Sequence, residues 1–263
     1  MELGLVGKRA FVSGSTQGIG HAIARALARE GVEVVINGRD GDRVESAVRA
    51  LEAELPSATV SGVAADLAVP TEVERLLADL GSIDILVNNV GLFDVRPFAE
   101  LTDEDWAGFF EANVMTGVRL SRALLPQMLD AGWGRVIFIG SESGVNIPAD
   151  MIHYGVTKAA MLALGNGLAK LTRGTGVTVN TVVGGPTYSD GVARAVEQIA
   201  SAQQLAPEVM RAAIIGENRT SLLERFIEPG EIADLVAYLA SPLSSATNGA
   251  AIRADGGVLT AML

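Results

Sequence analysis

The chain has 263 residues, 49% hydrophobic and 19% charged, which is enough to bury one large α/β core or two small ones and too apolar for a disordered chain. Its formal charge of −11, from 20 Lys+Arg against 31 Asp+Glu, disfavours nucleic acid and anionic membrane surfaces, because both reward clustered cations. With no cysteine, and two histidines (His21 and His153) that lack the spacing of a zinc pair, disulfides and thiolate sites are excluded and no metal is expected.

The N-terminal stretch MELGLVGKRAFVSG has no basic region leading into an apolar segment, and no run reaches the ~20 apolar residues of a membrane span. The expectation is a soluble, cytoplasmic protein. Apolar, β-branched runs then alternate with helical stretches: KRAFVSG and a helix over 18–30, VEVVING and 42–54, ATVSGVAAD and 71–80, IDILVNN and 103–130. The alternation continues with RVIFIGS, a helix ending near Thr172, GVTVNTVVGG, helical stretches across 189–215 and 229–240, and GAAIRADGG. This βαβ rhythm predicts an α/β fold, a doubly wound parallel sheet of about seven strands flanked by helices, in a single domain over 1–263. The segment 186–227 runs helical for longer than a crossover needs, which suits either a substrate lid or a plain helical insertion.

Between the first strand and first helix lies Ser13-Gly14-Ser15-Thr16-Gln17-Gly18-Ile19-Gly20, where a dinucleotide's pyrophosphate would meet close-lying backbone and helix N–H groups. Asp66, Asn89 and Gly91 fall at the carboxyl ends of the third and fourth strands, where open sheets bind ligands. The second strand ends Ile36-Asn37-Gly38-Arg39, without the acid that would take the ribose hydroxyls of NAD. Arg39 offers a fork suited to a 2′-phosphate, so NADP is favoured over NAD, although Arg39 could simply be solvated and Asp40 could neutralise part of its charge.

Tyr154 and Lys158 are spaced i, i+4 and share a helix face, so a phenol and an ammonium can point into one pocket. A nearby buried cation can lower a phenol's pKa from about 10 toward about 7. The spacing alone also fits an ordinary amphipathic helix. Taken in order, Gly14-x3-Gly18-x-Gly20, Asn88-Asn89-Val90-Gly91, Asn113, Ser141 and Tyr154-x3-Lys158 resemble the short-chain dehydrogenase/reductase family over essentially the whole chain.

The resemblance implies a Rossmann-like domain with a nicotinamide cofactor. It casts Tyr154 as general acid/base, Lys158 as the group that lowers its pKa and holds the nicotinamide ribose, Ser141 as the donor to the substrate oxygen, and Asn113 as support for a relay water. Ser143 stands second to Ser141. The same resemblance places Gly14, Ser15, Gly18, Ile19 and Gly20 at the pyrophosphate, Arg39 at the 2′-phosphate, Asp66 and Leu67 at adenine, Asn89 and Gly91 behind the ribose, and Thr187 and Ser189 at the carboxamide. Gln17 stands where many NADP-using relatives carry a base, which weakens the NADP assignment.

The expected activity is interconversion of a ketone and a secondary alcohol, with reduction preferred, on a small and largely apolar substrate. Phe93, Glu142, Ile147, Met151, His153 and Tyr188 are the candidate pocket residues. Reduction of a 3-oxoacyl group on acyl carrier protein is the alternative, and a non-catalytic NADP-binding regulator or scaffold is the alternative of another class. The family also implies a homo-oligomer, a tetramer built on the helices at 103–130 and 154–172.

Overall fold

Alternate residues of each strand feed opposite faces of one sheet. Ala10 and Val12 of β1 (Arg9–Val12), Ile85 and Val87 of β4 (Ile85–Asn88), and Ile137 and Ile139 of β5 (Trp133–Ser141) enter one core. Phe11, Leu86, Val136 and Phe138 enter the other. Both faces are therefore apolar, as a parallel sheet covered on two sides requires. In this computed structural model, which describes residues 2–217 and 220–262, seven parallel strands run in the order β3-β2-β1-β4-β5-β6-β7. The remaining strands are β2 (Glu33–Gly38), β3 (Val60–Ala64), β6 (Gly176–Gly184) and β7 (Ala251–Ala254). The first face is covered by α1 (Gly18–Arg29), α2 (Gly41–Glu54) and α9 (Pro229–Ala240), through residues such as Ile23, Leu51 and Val236. The second is covered by α3 (Pro70–Leu80), α5 (Thr116–Ala131) and α6 (Ile152–Ala169), through Leu76, Leu124 and Met161.

The chain winds outward from β1 to β3, then returns to β4 on the other side of β1, so the crevice for a ligand opens above the carboxyl ends of β1 and β4. The single helix expected over 103–130 is broken into α4 (Asp103–Phe110), a π-helical turn over Glu111–Met115, and α5. Such a turn inserts a residue into the helical repeat; Asn113, buried here, lies in it. Over the expected lid range stand α7 (Asp190–Ala202) and α8 (Pro207–Glu217), joined by a small cluster of Val196, Ala200 and Met210. Residues 218 and 219 of that range lie outside the described residues. No helix among the described residues is long and apolar enough to cross a membrane.

β5 and β6 are the long strands, nine residues each, and their pairing ends at Ser141 opposite Gly184, with Gly184 opposite Ala254 of β7. Gly185 follows, and a Cβ there would come within 2.5 Å of the Asp255 carbonyl oxygen and 2.8 Å of its Cα. Backbone cannot step aside as a flexible side chain can, so Gly185→Ala is expected to destabilise the fold by about 1–3 kcal/mol. Gly167 in α6 has open space around its Cβ position, and Gly167→Ala is expected to stabilise by about 0.5–1 kcal/mol. Urea unfolding midpoints check both signs.

Candidate active site

The glycine-rich loop is held by side chains from the strand ends around it. Ser13 Oγ donates to the Val87 carbonyl at 3.2 Å and accepts from the amides of Asn89 at 2.9 Å and Val90 at 3.2 Å. Asn89 Nδ2 donates back to the carbonyls of Ser13 and Gly14 at 3.0 and 2.9 Å. Ser15 Oγ donates to the Val12 carbonyl at 2.6 Å and accepts from the Asn37 amide at 2.9 Å. Asn37 in turn donates to the carbonyls of Val63 and Ala65, both at 3.2 Å, and accepts from the Gly14 amide at 3.3 Å. Gly14 and Gly18 take φ of +60° and +61°, which disfavours side chains, and a Cβ on Gly20 would sit 2.5 Å from both Asn89 Nδ2 and the Gly14 carbonyl.

The loop is built to receive an anion. Gln17, the residue before α1, makes no side-chain capping bond, so the first amides of the helix need an outside acceptor. Gly18 N–H donates to Asp190 Oδ2 at 2.5 Å, a carboxylate from the first residue of α7 standing where a phosphate oxygen would. Arg194, one turn along α7, reaches Gln17 Oε1 at 3.4 Å. A pyrophosphate therefore fits this chain's own donors, and Ile19 lies half-buried beside them.

The other expected cofactor positions are less uniform. Arg39 is exposed at the end of β2 and makes no ion pair with Asp40 among the described residues; the Asp40 carboxylate caps α2, accepting from the Arg43 amide at 3.0 Å. Asp66 Oδ1 accepts from the Ala68 amide at 3.0 Å, shaping the turn, while the Leu67 side chain is buried in the second core, so only its backbone is left to face a nucleotide. Gly91 leaves room for Lys158, whose Nζ would lie 3.3 Å from a Cβ there. Thr187 Oγ1 donates to the Gly185 carbonyl at 2.9 Å, and Ser189 precedes α7 with its Cβ close to Gly18.

Ser141 ends β5, and Tyr154 and Lys158 lie one turn apart in α6. Lys158 Nζ stands 5.7 Å from the centre of the Tyr154 ring and donates to the Ile139 carbonyl at 2.9 Å. The expected lowering of the phenol does not occur in the protein by itself. Burial pushes Tyr154 up to about 12, the Ser141 hydroxyl opposes the rise, and the Glu142 carboxylate adds to it. Burial also pulls Lys158 down to about 8, and its ammonium has no carboxylate partner in the described residues. Glu142 is raised, chiefly by burial, with hydroxyls of Ser143 and Ser141 opposing and Asp255 adding to the rise.

Asn113 joins the site through its neighbours. Its amide donates to the Leu92 carbonyl at 3.0 Å and to Thr157 Oγ1 at 2.9 Å, and its Oδ1 accepts from the Leu92 amide at 2.6 Å. It thus pins the segment after β4 to α6, where Thr157 Oγ1 also donates to the Tyr154 carbonyl at 2.7 Å. Of the pocket candidates, His153 is misplaced by sequence reasoning. It is fully buried edge-on against Phe109, with ring centres 4.2 Å apart, and neither ring nitrogen has a hydrogen-bond partner. Tyr188 packs on Phe226 beneath the Arg211 guanidinium, 4.0 Å from the ring centre, whereas Phe93 and Ile147 are exposed. A cavity of about 700 Å³ opens between α8 and the loop through Arg225 and Phe226, and neither Tyr154 nor Gly18 lines it.

Residues 8–200 match the family model described as short chain dehydrogenase. The chain belongs to the short-chain dehydrogenase/reductase family. It is 44% identical over 260 residues to the oxidoreductase YvaG of Bacillus subtilis, covering 98% of each chain. It is 31% identical to a 3-oxoacyl-[acyl-carrier-protein] reductase of Vibrio cholerae, covering 97% of this chain and 99% of the relative. L-Sorbose reductase from Gluconobacter frateurii, solved with NADPH and L-sorbose, superimposes with a TM-score of 0.93 at 31% identity over the full length of both chains. This short-chain dehydrogenase/reductase is accordingly an oxidoreductase with a nicotinamide cofactor.

The buried ammonium makes stability depend on pH in a definite direction. A lysine held to about 8 instead of its ordinary 10.5 carries a penalty of about 3 kcal/mol wherever both folded and unfolded chains are protonated. Below pH 8 the penalty is present in full; between 8 and 10.5 the unfolded chain binds more protons, so stability rises with pH until the penalty is gone. Lys158→Met is expected to outlast the wild type in urea at pH 7, with the gap narrowing by pH 10. A gap independent of pH would mean that the ammonium is not the source.

Proposed function

We propose that this chain is an NADP(H)-dependent reductase that converts small ketones to secondary alcohols. The observation that carries the reading is the grouping of the buried Tyr154 phenol with the Lys158 ammonium, 5.7 Å from the ring centre, and with Ser141 at the carboxyl end of β5. A phenol protonated at neutral pH is in the form that reduction consumes, whereas oxidation of an alcohol needs the phenolate, which burial disfavours here. Ser141 orients the carbonyl oxygen toward the phenol, and Tyr154 gives it a proton as the carbon is reduced. Lys158, on the same helix face, supplies positive charge to the phenolate left behind. Asn113 and Thr157 keep α6 in register with the segment after β4. When bound, the cofactor supplies the hydride.

The glycine-rich loop, Asp66, Leu67, Asn89 and Gly91 would hold the dinucleotide, with Thr187 and Ser189 near its carboxamide. Arg39, exposed and with its acidic neighbour committed elsewhere, supports NADP over NAD. Residues 186–227 act as the substrate lid in this reading, supported by α7 lying directly over the loop through Asp190 and Arg194. Reduction on acyl carrier protein is less favoured, because the end of α5 reads Leu129-Asp130-Ala131-Gly132 with no base to dock an acidic partner, although Lys170 and Arg173 remain past the end of α6. A homotetramer is part of the reading by family membership, and size-exclusion chromatography with light scattering tests it.

Following NADPH absorbance with a ketone panel tests the activity; no turnover of any ketone despite demonstrated NADPH binding would sink it. Tyr154→Phe is expected to lower kcat by about 100- to 10,000-fold with NADPH affinity, read by fluorescence titration, unchanged. Arg39→Ala is expected to weaken NADPH but not NADH; if the preference stays as in the wild type, Arg39 does not read the phosphate.

A further inference from the structure

Glu142 follows Ser141 directly, in the turn Glu142–Gly144 that closes β5. The strand register sets Ser141, Gly184 and Ala254 in one row, so Glu142, Gly185 and Asp255 come next at the carboxyl edge of the sheet. Two acids thus lie at that edge on either side of β6, the charge of Asp255 is felt at Glu142, and they are treated differently. Asp255 is held by Arg253 at 2.9 Å and by the amides of Gly257 at 3.1 Å and Leu259 at 3.0 Å. Glu142 has the hydroxyls of Ser141 and Ser143 in favour of its charged form, and no cation pairs with it among the described residues. It is half-buried, and its charge is felt at the Tyr154 phenol. The ammonium of the site, Lys158, donates to the Ile139 carbonyl and stands beside Tyr154, and it makes no ion pair with Glu142.

A half-buried carboxylate without a cation wants a donor that carries no negative charge. The group best placed to supply one is the substrate, because Glu142 adjoins the serine that would hold the carbonyl oxygen. A hydroxyl on the carbon next to the carbonyl lies close to that oxygen and can donate to Glu142, whereas a carboxylate at the same place would meet like charge from Glu142 and Asp255. We propose that Glu142 determines specificity, selecting ketones that bear a neutral hydroxyl beside the carbonyl and rejecting those that bear a carboxylate there. The proposal rests on the reading of Tyr154 and Ser141 as the carbonyl site. It replaces the largely apolar ketone expected from the pocket residues with a hydroxyketone.

The test uses the full chain with NADPH and three matched ketones, 2-butanone, 1-hydroxy-2-butanone and 2-oxobutanoate, together with a second set of the same kind two carbons longer. In the wild type, kcat/KM is expected to favour the hydroxyketone over the plain ketone by about tenfold or more, with the oxoacid poorest. Glu142→Ala should bring the hydroxyketone to within about threefold of the plain ketone. Glu142→Gln, which keeps an acceptor but not the charge, should raise the oxoacid relative to the plain ketone by about tenfold. Thermal melting and NADPH titration confirm that both variants are folded and loaded. A merely structural glutamate would lower all three substrates together and leave their ratios as in the wild type; that result overturns the proposal. If NADPH binds and no ketone of either set is reduced, the reading of the site fails, and the role of Glu142 with it.

Discussion

The hydrogen bonds that Ser13, Asn37 and Asn89 make with backbone hold the glycine-rich loop to the ends of β1, β2, β3 and β4 together, and the rest of the site is measured from that loop. Parallel strands end with carbonyls and amides that the ladder no longer pairs, and buried backbone groups left so are costly. Here short polar side chains take up that pairing. The result is a rigid rim, on which the first turn of α1 presents its amides outward and Gly91 lets Lys158 come close. A looser rim would leave the phosphate seat and the phenol without a fixed distance between them, and proximity of that kind is worth far more than any one contact.

The two groups at the heart of the chemistry sit where they are least comfortable. Tyr154 is buried enough to hold its proton tightly, and Lys158 is buried enough to lose part of its hold. Neither state would be chosen for stability alone, which is the usual mark of residues kept for function. Glu142 extends the pattern: an acid set beside a phenol makes the phenolate harder to form, so the free protein keeps the phenol protonated. The protein's own contribution is thus a protonated phenol, with the Glu142 carboxyl close enough for its charge to be felt there.

Much of this could be read before any fold was known. Apolar runs such as IDILVNN and RVIFIGS are strands because both of their faces are covered, and the glycines at 14, 18 and 20 are needed for φ or for space, both being local demands written in single residues. What was hidden depends on contacts across the chain. Nothing near Asp190 says that it will meet Gly18, 172 residues away, nor does the sequence around Asn37 show that its side chain staples three strands. The π turn at Glu111–Met115 follows a helical pattern on either side, so an inserted residue leaves little trace in the periodicity. His153 adjoins Tyr154 in sequence, yet successive residues of a helix face in different directions, and it turns toward α4 instead of the pocket.

Arg135, at the opposite end of β5 from Ser141, gives the scaffold a different kind of hold. The residue is 1% exposed and its guanidinium donates to the carbonyls of Gly134, Gly176 and Ser241, with the Trp133 ring 4.6 Å away and no carboxylate partner among the described residues. Carbonyl dipoles neither titrate nor gather counterions, so this clamp is indifferent to acid and to salt in a way that the surface ion pairs are not. The sheet is in this sense anchored at its floor and worked at its rim. Changes of residue around Ser141 and Glu142 can alter what the protein accepts without loosening the end that keeps β5, β6 and α9 together.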